Sequence, residues 1–325
     1  MTASEDPLRV GVVGVGSMGR NHARVYGELR DVELAGVSDH DADAAERVAA
    51  EFDTRATDLE TLLDSVDAVS VAVPTAAHGT VVRACLDAGV HALVEKPFVT
   101  DLDVGRELDR RAAELGLTLQ VGHVERFNPA IRTAARIVED LDVIAMDAKR
   151  VGPPVDREGR GDVVFDLMIH DLDIAASLVD GEPRTVSASA TADGDYATAS
   201  VDFDGVVGTF TASRVTQQKV RRLGITARSC RLVVDYIEQS VEIHRSAAPA
   251  YVEENGDLRH TTESVVERPM VESGEPLKAE LGSFADAVRS GDPPVVTAAD
   301  GLRSVELSHD VLAAALDGRT AEVSR

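Results

Sequence analysis

Residues 9–22 read RVGVVGVGSMGRNH, and this stretch decides the fold of the first part of the chain. Its opening run, Val10 to Val13, is largely β-branched and favours a buried strand. Three glycines follow in a Gly-x-Gly-x-x-Gly pattern at Gly14, Gly16 and Gly19, and helical spacing of apolar residues begins directly after them. The stretch therefore predicts a strand, a tight turn and a helix.

The glycine spacing has a physical reason if the turn binds a pyrophosphate. The first glycine permits the sharp turn, the second lets backbone amides approach the phosphates, and the third lets the helix pack closely on its strand. Ser17 and Met18 then begin the helix, whose amino-terminal amides and dipole favour a phosphate. Glycine-rich turns also serve purely structural ends, so the surrounding sequence has to distinguish the two readings.

The position of Asp39 favours a dinucleotide. It follows a second predicted strand, Val32–Ser38, about 20 residues beyond the last glycine, where a carboxylate accepts hydrogen bonds from ribose hydroxyls. A carboxylate there repels a 2′-phosphate, and neither His40 nor Asp41 offers a guanidinium to bind one. We therefore expect NAD rather than NADP, with Arg20 as the one nearby cation that favours NADP.

The charge of the chain excludes some partners. Its 325 residues include 57 Asp and Glu against 33 Lys and Arg, a formal net charge of −24. Such a field repels nucleic acid and anionic membrane surfaces, so neither is expected as a partner. High acidity with only four lysines suggests a halophilic protein of a salty cytoplasm, where ions screen self-repulsion. A merely acidic mesophilic protein is the alternative.

The cysteine spacing and the lack of signal-peptide features predict a cytoplasmic protein without a metal site. Cys85 and Cys230 match neither metal-ligand spacing nor a disulfide framework, so both are expected to be reduced thiols. The amino terminus lacks the basic and apolar regions of a signal peptide. No apolar run reaches membrane-spanning length.

Two domains are expected, with a boundary after residue 122. In residues 1–122, short apolar runs alternate with helical segments, which is typical of an α/β fold with a doubly wound parallel sheet. In residues 123–325, a series of strand-like segments predicts a large, open, mostly antiparallel sheet, accompanied by helices near 131–139 and 164–178 and at the carboxyl end. Residues 247–275 show no clear pattern.

Ligands of doubly wound sheets bind beyond the carboxyl ends of the strands. The residues there are therefore candidates for cofactor and substrate binding. Two predicted strands are followed by candidate cofactor-binding residues, namely Pro74, Thr75, His78, Glu95 and Lys96. The chain that leaves the last parallel strand carries two candidate substrate-binding residues, Arg126 and Asn128. For His78, a role as a helix cap or as a structural residue is an equal alternative.

Lys96 is the strongest catalytic candidate in this half of the chain. It stands between Glu95 and Pro97 in a sequence that is nearly devoid of lysine, which indicates that an ammonium is specifically required. A lysine beside a nicotinamide can bind a substrate hydroxyl and help it lose its proton. The alternative is a surface lysine that pairs with Glu95.

Asp166 and His170 are four residues apart, so on a helix they share one face. An imidazole and a carboxylate placed in this way can act as proton acceptor and substrate anchor. The alternatives are a helix-terminal acid with a core histidine, or a metal pair, for which no further ligand is suitably spaced. Arg157 and Arg160 precede this helix and either bind substrate phosphates or are solvated.

The three motifs resemble the glucose-fructose oxidoreductase and inositol dehydrogenase family in order and spacing. The resemblance rests on the Gly14–Gly19 turn, on Glu95-Lys96-Pro97 and on the pair Asp166 and His170. It implies an N-terminal Rossmann domain, a second α/β domain whose open sheet serves homo-oligomerisation as a dimer or tetramer, and hydride transfer between NAD(P) and a sugar or cyclitol. Lys96 and His170 then correspond to catalytic groups, and Asp166 to a substrate-anchoring acid.

A narrower resemblance concerns the substrate. Residues 122–129, GHVERFNP, and residues 165–171, FDLMIHD, are similar to the subgroup that oxidises the 3-hydroxyl of UDP-N-acetylglucosamine or its uronate. An inositol or simple-sugar dehydrogenase is the first alternative. A catalytically silent NAD-binding sensor is an alternative of another class, against which the presence of Lys96, Asp166 and His170 argues.

Overall fold

The computed structural model describes residues 6–154, 161–179, 181–246, 250–254, 257–261, 264–317 and 321–322. The chain divides into two compact units, the first formed by Met1–Phe127 and Gly274–Glu306 and the second by Asn128–Ser273 and Leu307–Arg325. This division differs from the expected one in two respects. The boundary follows residue 127 instead of 122, and the segment from Gly274 to Glu306 belongs to the first unit.

The first unit contains a five-stranded sheet in the order β2-β1-β3-β4-β5, with every neighbouring pair parallel. Its strands are β1 (Leu8–Val13), β2 (Val32–Ser38), β3 (Ala68–Val71), β4 (His91–Glu95) and β5 (Leu119–Gly122). The connecting helices are α1 (Ser17–Glu28), α2 (Ala42–Glu51), α3 (Leu59–Leu63), α4 (Thr75–Asp87) and α5 (Leu102–Leu115). The alternation of strand and helix confirms the predicted α/β class.

Local sequence explains where several of these helices begin and end. Asp41, Asp58 and Asp101 each accept a hydrogen bond from an amide in the first turn of α2, α3 and α5, as good N-cap residues do. Helix α5 ends at Gly116, whose φ of 66° is the left-handed conformation that glycine adopts without strain.

The second unit begins with α6 (Pro129–Val138) and is built on a nine-stranded sheet in the order β15-β12-β11-β10-β6-β9-β8-β7-β16. Only β6 and β9 pair in parallel, so the predicted mostly antiparallel sheet is confirmed. The elements are β6 (Val143–Val151), α7 (Ile169–Leu178), β7 (Pro183–Ala190), β8 (Tyr196–Phe203), β9 (Val206–Ser213), β10 (Val220–Ala227), β11 (Arg231–Asp235), β12 (Ser240–Ser246), β15 (Ser264–Glu267) and β16 (Ala321–Glu322), with a separate hairpin of β13 (Ala250–Glu254) and β14 (Asp257–Thr261).

The two faces of this large sheet differ. Along β6, Met146, Ala148 and Arg150 are buried and share a face, and the apolar core on that side includes residues of α6 and α7. Asp147 and Lys149 alternate with them and are exposed. This period of two is the pattern of a sheet with one covered and one open face.

Helices α8 (Pro276–Ser290) and α9 (Ala298–Asp317) complete the structure. Helix α8 belongs to the first unit because Leu277, Leu281 and Phe284 enter the same buried cluster as Val10 and Val12 of β1. A sequence pattern shows that such a helix has an apolar face but not which core it covers. Within the described residues, no helix is both long and apolar enough to cross a membrane.

Candidate active site

The glycine turn has the close contacts that its spacing predicts. Gly14 has a φ of 89°, and a Cβ built on it would lie 2.7 Å from the backbone nitrogen of Val73. A Cβ on Gly19 would lie 1.8 Å from the carbonyl oxygen of Gly14. Any larger residue at either position would therefore displace backbone, which explains two of the three glycines.

Gly16, the second glycine of the pattern, leaves space for a ligand. A Cβ on Gly16 would meet no atom within 4 Å, and Gly16 precedes α1 without a side-chain cap on the helix. Gly16 and Ser17 are exposed, whereas Met18 is half-buried against the core. The amino-terminal amides of α1 thus lack a side-chain cap at an open surface, which fits the pyrophosphate of a dinucleotide.

Asp39 lies beside this turn, at the end of β2. Its carboxylate accepts hydrogen bonds from the amides of Val15 at 2.7 Å and Asp41 at 2.9 Å, and it contacts Nδ1 of His40 at 2.7 Å. Burial alone would raise the pKa of the Asp39 carboxyl, but the two amide donors and His40 outweigh burial and lower it. Asp39 is therefore an ionised acceptor linked directly to the glycine turn.

Arg20, the cation that favours NADP, is engaged elsewhere. Its guanidinium donates to both carboxylate oxygens of Glu51, at 2.8 Å through Nε, and lies 5.9 Å from the ring centre of Phe52. Glu51 thus occupies the guanidinium N–H donors of Arg20 that a 2′-phosphate of NADP would need.

Pro74, Thr75 and His78 follow β3 as predicted, with Pro74 at the N-cap of α4. His78 is 1% exposed, and both ring nitrogens face backbone carbonyls. Nδ1 lies 3.0 Å from the oxygen of Pro97 and 3.1 Å from that of Phe98, while Nε2 lies 2.9 Å from the oxygen of Val73. The ring of His78 thus bridges the backbone that follows β3 and the backbone that follows β4, and it fixes these two segments relative to each other.

Lys96 directly follows β4 and is half-buried, with a cis peptide bond to Pro97. Its amide donates to Oε2 of Glu95 at 3.3 Å. The other carboxylate oxygen of Glu95 lies 2.9 Å from Nε2 of the fully buried His22. The backbone of Lys96 is therefore attached to a buried histidine–carboxylate pair.

Arg126 and Asn128 occupy different environments. Arg126 belongs to a 3₁₀ turn, Val124–Phe127, in the first unit, where it lies 3.6 Å from a carboxylate oxygen of Asp300. Asn128 is 3% exposed, accepts the amide of Ala130 as N-cap of α6, and donates to the carbonyl oxygen of Tyr236. These contacts give Asn128 a structural role in the second unit.

In the second unit, Asp166 and His170 lie where the backbone changes from π-helix to α-helix. Residues Val164–Met168 form the π-helical turn, in which the amide of Ile169 donates to the carbonyl oxygen of Val164, and α7 follows. Such turns are rare and occur frequently at functional sites. Both side chains are half-buried, and that of Asp166 is 41% exposed.

Two buried arginines hold this region in place. Arg150 donates through Nε and Nη2 to the two carboxylate oxygens of Asp171, both at 2.9 Å, which joins β6 to α7 next to His170. Arg214, at the end of β9, lies 3.6 Å from Asp166 and 2.9 Å from Asp195. His170 thus directly precedes a member of a buried ion pair, and Asp166 lies within ion-pair distance of the buried guanidinium of Arg214.

The structure brings the predicted site residues together as two groups. Gly14, Asp39, His78, Glu95 and Lys96 lie at the carboxyl edge of the parallel sheet in the first unit, and Asp166 and His170 lie in the second. Arg157 and Arg160 are outside the described residues. Sequence reasoning missed His22, Arg150, Asp171 and Arg214, because their partners are distant in sequence and no short motif links them.

Comparison with known proteins identifies the family. The family described as "Oxidoreductase family, NAD-binding Rossmann fold" matches residues 8–123, and the "GFO/IDH/MocA C-terminal domain" matches residues 145–235. The chain belongs to the GFO/IDH/MocA oxidoreductase family. The enzyme is therefore an NAD(P)-dependent dehydrogenase that acts on CH–OH groups, and its first unit is a Rossmann domain.

Several named dehydrogenases are similar to nearly the whole chain. UDP-N-acetylglucosamine 3-dehydrogenase of Acidithiobacillus ferrooxidans is 35% identical over 97% of this chain and 97% of that protein. A solved structure of that dehydrogenase superposes with a TM-score of 0.87 at 34% identity, covering 95% of this chain and 98% of the other. Inositol 2-dehydrogenase of Rhizobium meliloti is 27% identical over 93% of this chain and 94% of that protein.

In the described parts of this GFO/IDH/MocA enzyme, no group of three or more His, Cys, Asp and Glu residues is placed to hold a metal ion.

Proposed function

We propose that the enzyme oxidises the 3-hydroxyl of a UDP-N-acetyl-hexosamine, with NAD as the cofactor. The observation that carries this proposal is the 35% identity to UDP-N-acetylglucosamine 3-dehydrogenase of A. ferrooxidans over 97% of both chains. Each unit, taken by itself, also carries polar side chains suited to a hydroxylated substrate, Lys96 in the first and Asp166 and His170 in the second.

The preference for NAD is supported at the end of β2. The ionised Asp39 is held beside the glycine turn, where it can accept hydrogen bonds from ribose hydroxyls and repels a 2′-phosphate. Arg20 is bound bidentately by Glu51, so its charge is already compensated.

The chemistry assigns one task to each of three side chains. His170 accepts the proton of the sugar hydroxyl, Lys96 donates a hydrogen bond to the same oxygen, and Asp166 anchors a neighbouring hydroxyl. The bound dinucleotide supplies the hydride acceptor, so the sugar, after loss of one proton and one hydride, becomes a ketone. Proton exchange between Lys96 and His170 would let either serve as the formal base.

We also propose that the open face of the nine-stranded sheet mediates homo-oligomerisation. On this face the ion pair of Arg231 with Asp147 crosses Gly224 of β10, where a Cβ would lie 2.4 Å from the guanidinium and 2.6 Å from the carboxylate. The glycine lets the pair lie flat against the sheet, which suits a closely approaching second copy. Light scattering should show a dimer or tetramer, and a monomer at micromolar concentration would contradict this.

A substrate screen tests the proposed reaction. NAD reduction is followed by absorbance in molar salt with UDP-N-acetylglucosamine, free N-acetylglucosamine, myo-inositol and simple sugars. In a parallel assay, 2-oxoglutarate is added as the oxidant and its reduction to 2-hydroxyglutarate is measured, because a cofactor that never dissociates would hide turnover in the absorbance assay. We expect reduction with the UDP-sugar and little with the free sugar.

An inositol or simple-sugar dehydrogenase is the second candidate. It is favoured by the similarity to inositol 2-dehydrogenase of R. meliloti over 93% of the chain. Turnover of myo-inositol without turnover of the UDP-sugar would establish it, and activity with neither class would overturn both proposals.

A further inference from the structure

His22 is a fully buried histidine of α1 that the reaction described above does not use. Its Nε2 lies 2.9 Å from Oε1 of Glu95, while its Nδ1 has no hydrogen-bond partner within the described part of the chain. His78 is almost equally buried, yet both of its ring nitrogens face backbone carbonyls. A buried polar atom without a partner is destabilising, so an imidazole at this position needs a reason, and its hydrogen bond to Glu95 supplies one.

Glu95 links His22 to Lys96. One carboxylate oxygen contacts His22, and the other accepts the amide of Lys96 at 3.3 Å. Glu95 is 8% exposed and packs directly over Gly122 of β5, where a Cβ would lie 3.2 Å from both the Cα and the Cδ of Glu95. The carboxyl group is therefore held by α1, by β5 and by the backbone of Lys96.

His22 is itself firmly seated. The ring of Tyr26, one turn later on α1, is in edge contact with the imidazole at 6.5 Å between centroids. The hydroxyl of Tyr26 lies 2.7 Å from that of Ser70 in β3. A chain of buried contacts thus runs from β3 through α1 to Glu95 at the end of β4. Because α1 also begins at the glycine turn, one helix supports both the proposed pyrophosphate site and the residue before Lys96.

We propose that His22 and Glu95 are positioning residues for Lys96: their buried hydrogen bond fixes the Glu95 side chain, and Glu95 fixes the backbone from which the Lys96 side chain extends. Without the pair, the carboxyl group of Glu95 would turn away and release the Lys96 amide. A misplacement of about 1 Å is enough to slow an enzymatic reaction strongly. Glu95, a candidate cofactor-binding residue by its sequence position, is thereby assigned to the support of Lys96. The inference rests on the proposed catalytic role of Lys96.

Two variants remove the pair, and one keeps its hydrogen bonding. Glu95→Met keeps the length of the side chain and His22→Phe keeps a ring, but each removes one partner. Glu95→Gln keeps an oxygen for the Lys96 amide, and its NH2 group can donate to Nε2 of a neutral His22. His91→Gln is the control, because His91 lies at the opposite end of β4, where its Nδ1 accepts the amide of Thr118 at 2.8 Å.

Kinetics with a sugar that the enzyme oxidises give the first readout. We expect kcat to fall about tenfold or more in Glu95→Met and in His22→Phe, and to stay within about threefold in Glu95→Gln and His91→Gln. The Kd for NAD should stay within about twofold in all four variants, because the glycine turn and Asp39 are intact. A lower kcat at constant cofactor affinity is the result that a displaced Lys96 predicts.

The double variant separates positioning from stability. His22→Phe leaves one oxygen of the buried Glu95 without its partner and should lower the melting temperature, whereas the addition of Glu95→Met removes that oxygen and should raise the melting temperature again. The kcat of the double variant should nevertheless stay as low as that of either single variant, because both act through the backbone of Lys96. A role in stability alone predicts that kcat recovers together with the melting temperature.

Exchange of the Lys96 amide tests the proposal without a substrate. The sequence contains only four lysines, so labelling with ¹⁵N-lysine gives few amide resonances, and that of Lys96 is the one lost in Lys96→Ala. With NAD bound, the Lys96 amide should exchange about tenfold faster in Glu95→Met and His22→Phe than in wild type. Its exchange should be unchanged in Glu95→Gln and His91→Gln. If the sugar screen fails, this readout alone decides the proposal.

The proposal is overturned by near-normal kcat or unchanged Lys96 exchange in either Glu95→Met or His22→Phe, by equal losses in Glu95→Gln and Glu95→Met, or by recovery of kcat in the double variant. If Glu95→Met does not fold, His22→Phe and the double variant replace it in the test. Failure of all three to fold also overturns the proposal, because the pair would then serve the stability of the fold.

Discussion

Loss of Asp171 should destabilise the second unit strongly. Its carboxylate receives two 2.9 Å hydrogen bonds from Arg150, and the two residues are 3% and 2% exposed. Breaking a buried pair from one side costs about 3–5 kcal/mol, because a charge is left buried without its counter-charge. We therefore expect Asp171→Leu to lower the free energy of unfolding of the second unit by about that amount.

The double variant distinguishes the ion pair from simple packing. When both charges are replaced, in Asp171→Leu with Arg150→Met, no uncompensated charge remains, and the loss should be smaller than that of either single variant. The guanidinium carbon of Arg150 also lies 5.0 Å from the ring centre of Tyr236, so part of the contribution of Arg150 comes from that ring.

Hydrogen exchange of the backbone amides of β6 and α7, measured as a function of urea concentration in molar salt, reports the free energy of unfolding of the second unit alone. Salt screens a buried pair only weakly, so the losses should persist there. A loss of less than about 1 kcal/mol in the free energy of unfolding of the single variants would refute a strong buried ion pair. A loss in the double variant equal to the sum of the two single losses would also refute it, because the two residues would then act independently.

Three further predictions concern the cofactor, the substrate and salt. Asp39→Asn should weaken NAD binding about tenfold by titration calorimetry, which corresponds to one charge-assisted hydrogen bond; unchanged affinity contradicts the assignment. Because the folded pKa of Asp39 is lowered, its charge is present above the unfolded value of about 3.9 and is lost only as pH falls through the folded pKa. NAD affinity should therefore not fall between neutral pH and about 5. Arg157→Gln and Arg160→Gln should raise the KM for the UDP-sugar and not that for a free polyol; equal effects on both would argue against a phosphate contact. The melting temperature should rise from low to molar salt, and a flat profile would exclude halophilic adaptation.

Much of the fold was predictable because it depends on local patterns. The glycine turn and Asp39 are recognised from spacing, since the chemistry of a pyrophosphate and a ribose constrains that spacing. The alternation of helix and strand predicted the first sheet, and the strand-rich second half predicted the second. The helix Leu59–Leu63 was missed because five residues are too few to show a helical period. The hairpin of β13 and β14 was missed because its strands are short and carry several charged residues.

The site was predictable only in part, because buried partners come from distant segments. Asn128 matched a motif beside a strand end, yet its side chain caps α6 and binds the carbonyl of Tyr236. Glu280 lies in an amphipathic helix pattern that does not reveal that its carboxyl is fully buried. The pairing of Arg150 with Asp171 depends on how β6 packs against α7, which spacing alone does not determine.

The proposed catalytic roles of Lys96 and His170 are tested most directly by a double-mutant cycle on single-turnover reduction of NAD by UDP-N-acetylglucosamine. If both side chains act on the same hydroxyl, Lys96→Ala and His170→Ala should each slow reduction about a hundredfold or more without weakening NAD binding. The double variant should then be little slower than either single one. Near-normal reduction in either single variant, or a double loss equal to the product of the two, would contradict the proposed roles of Lys96 and His170.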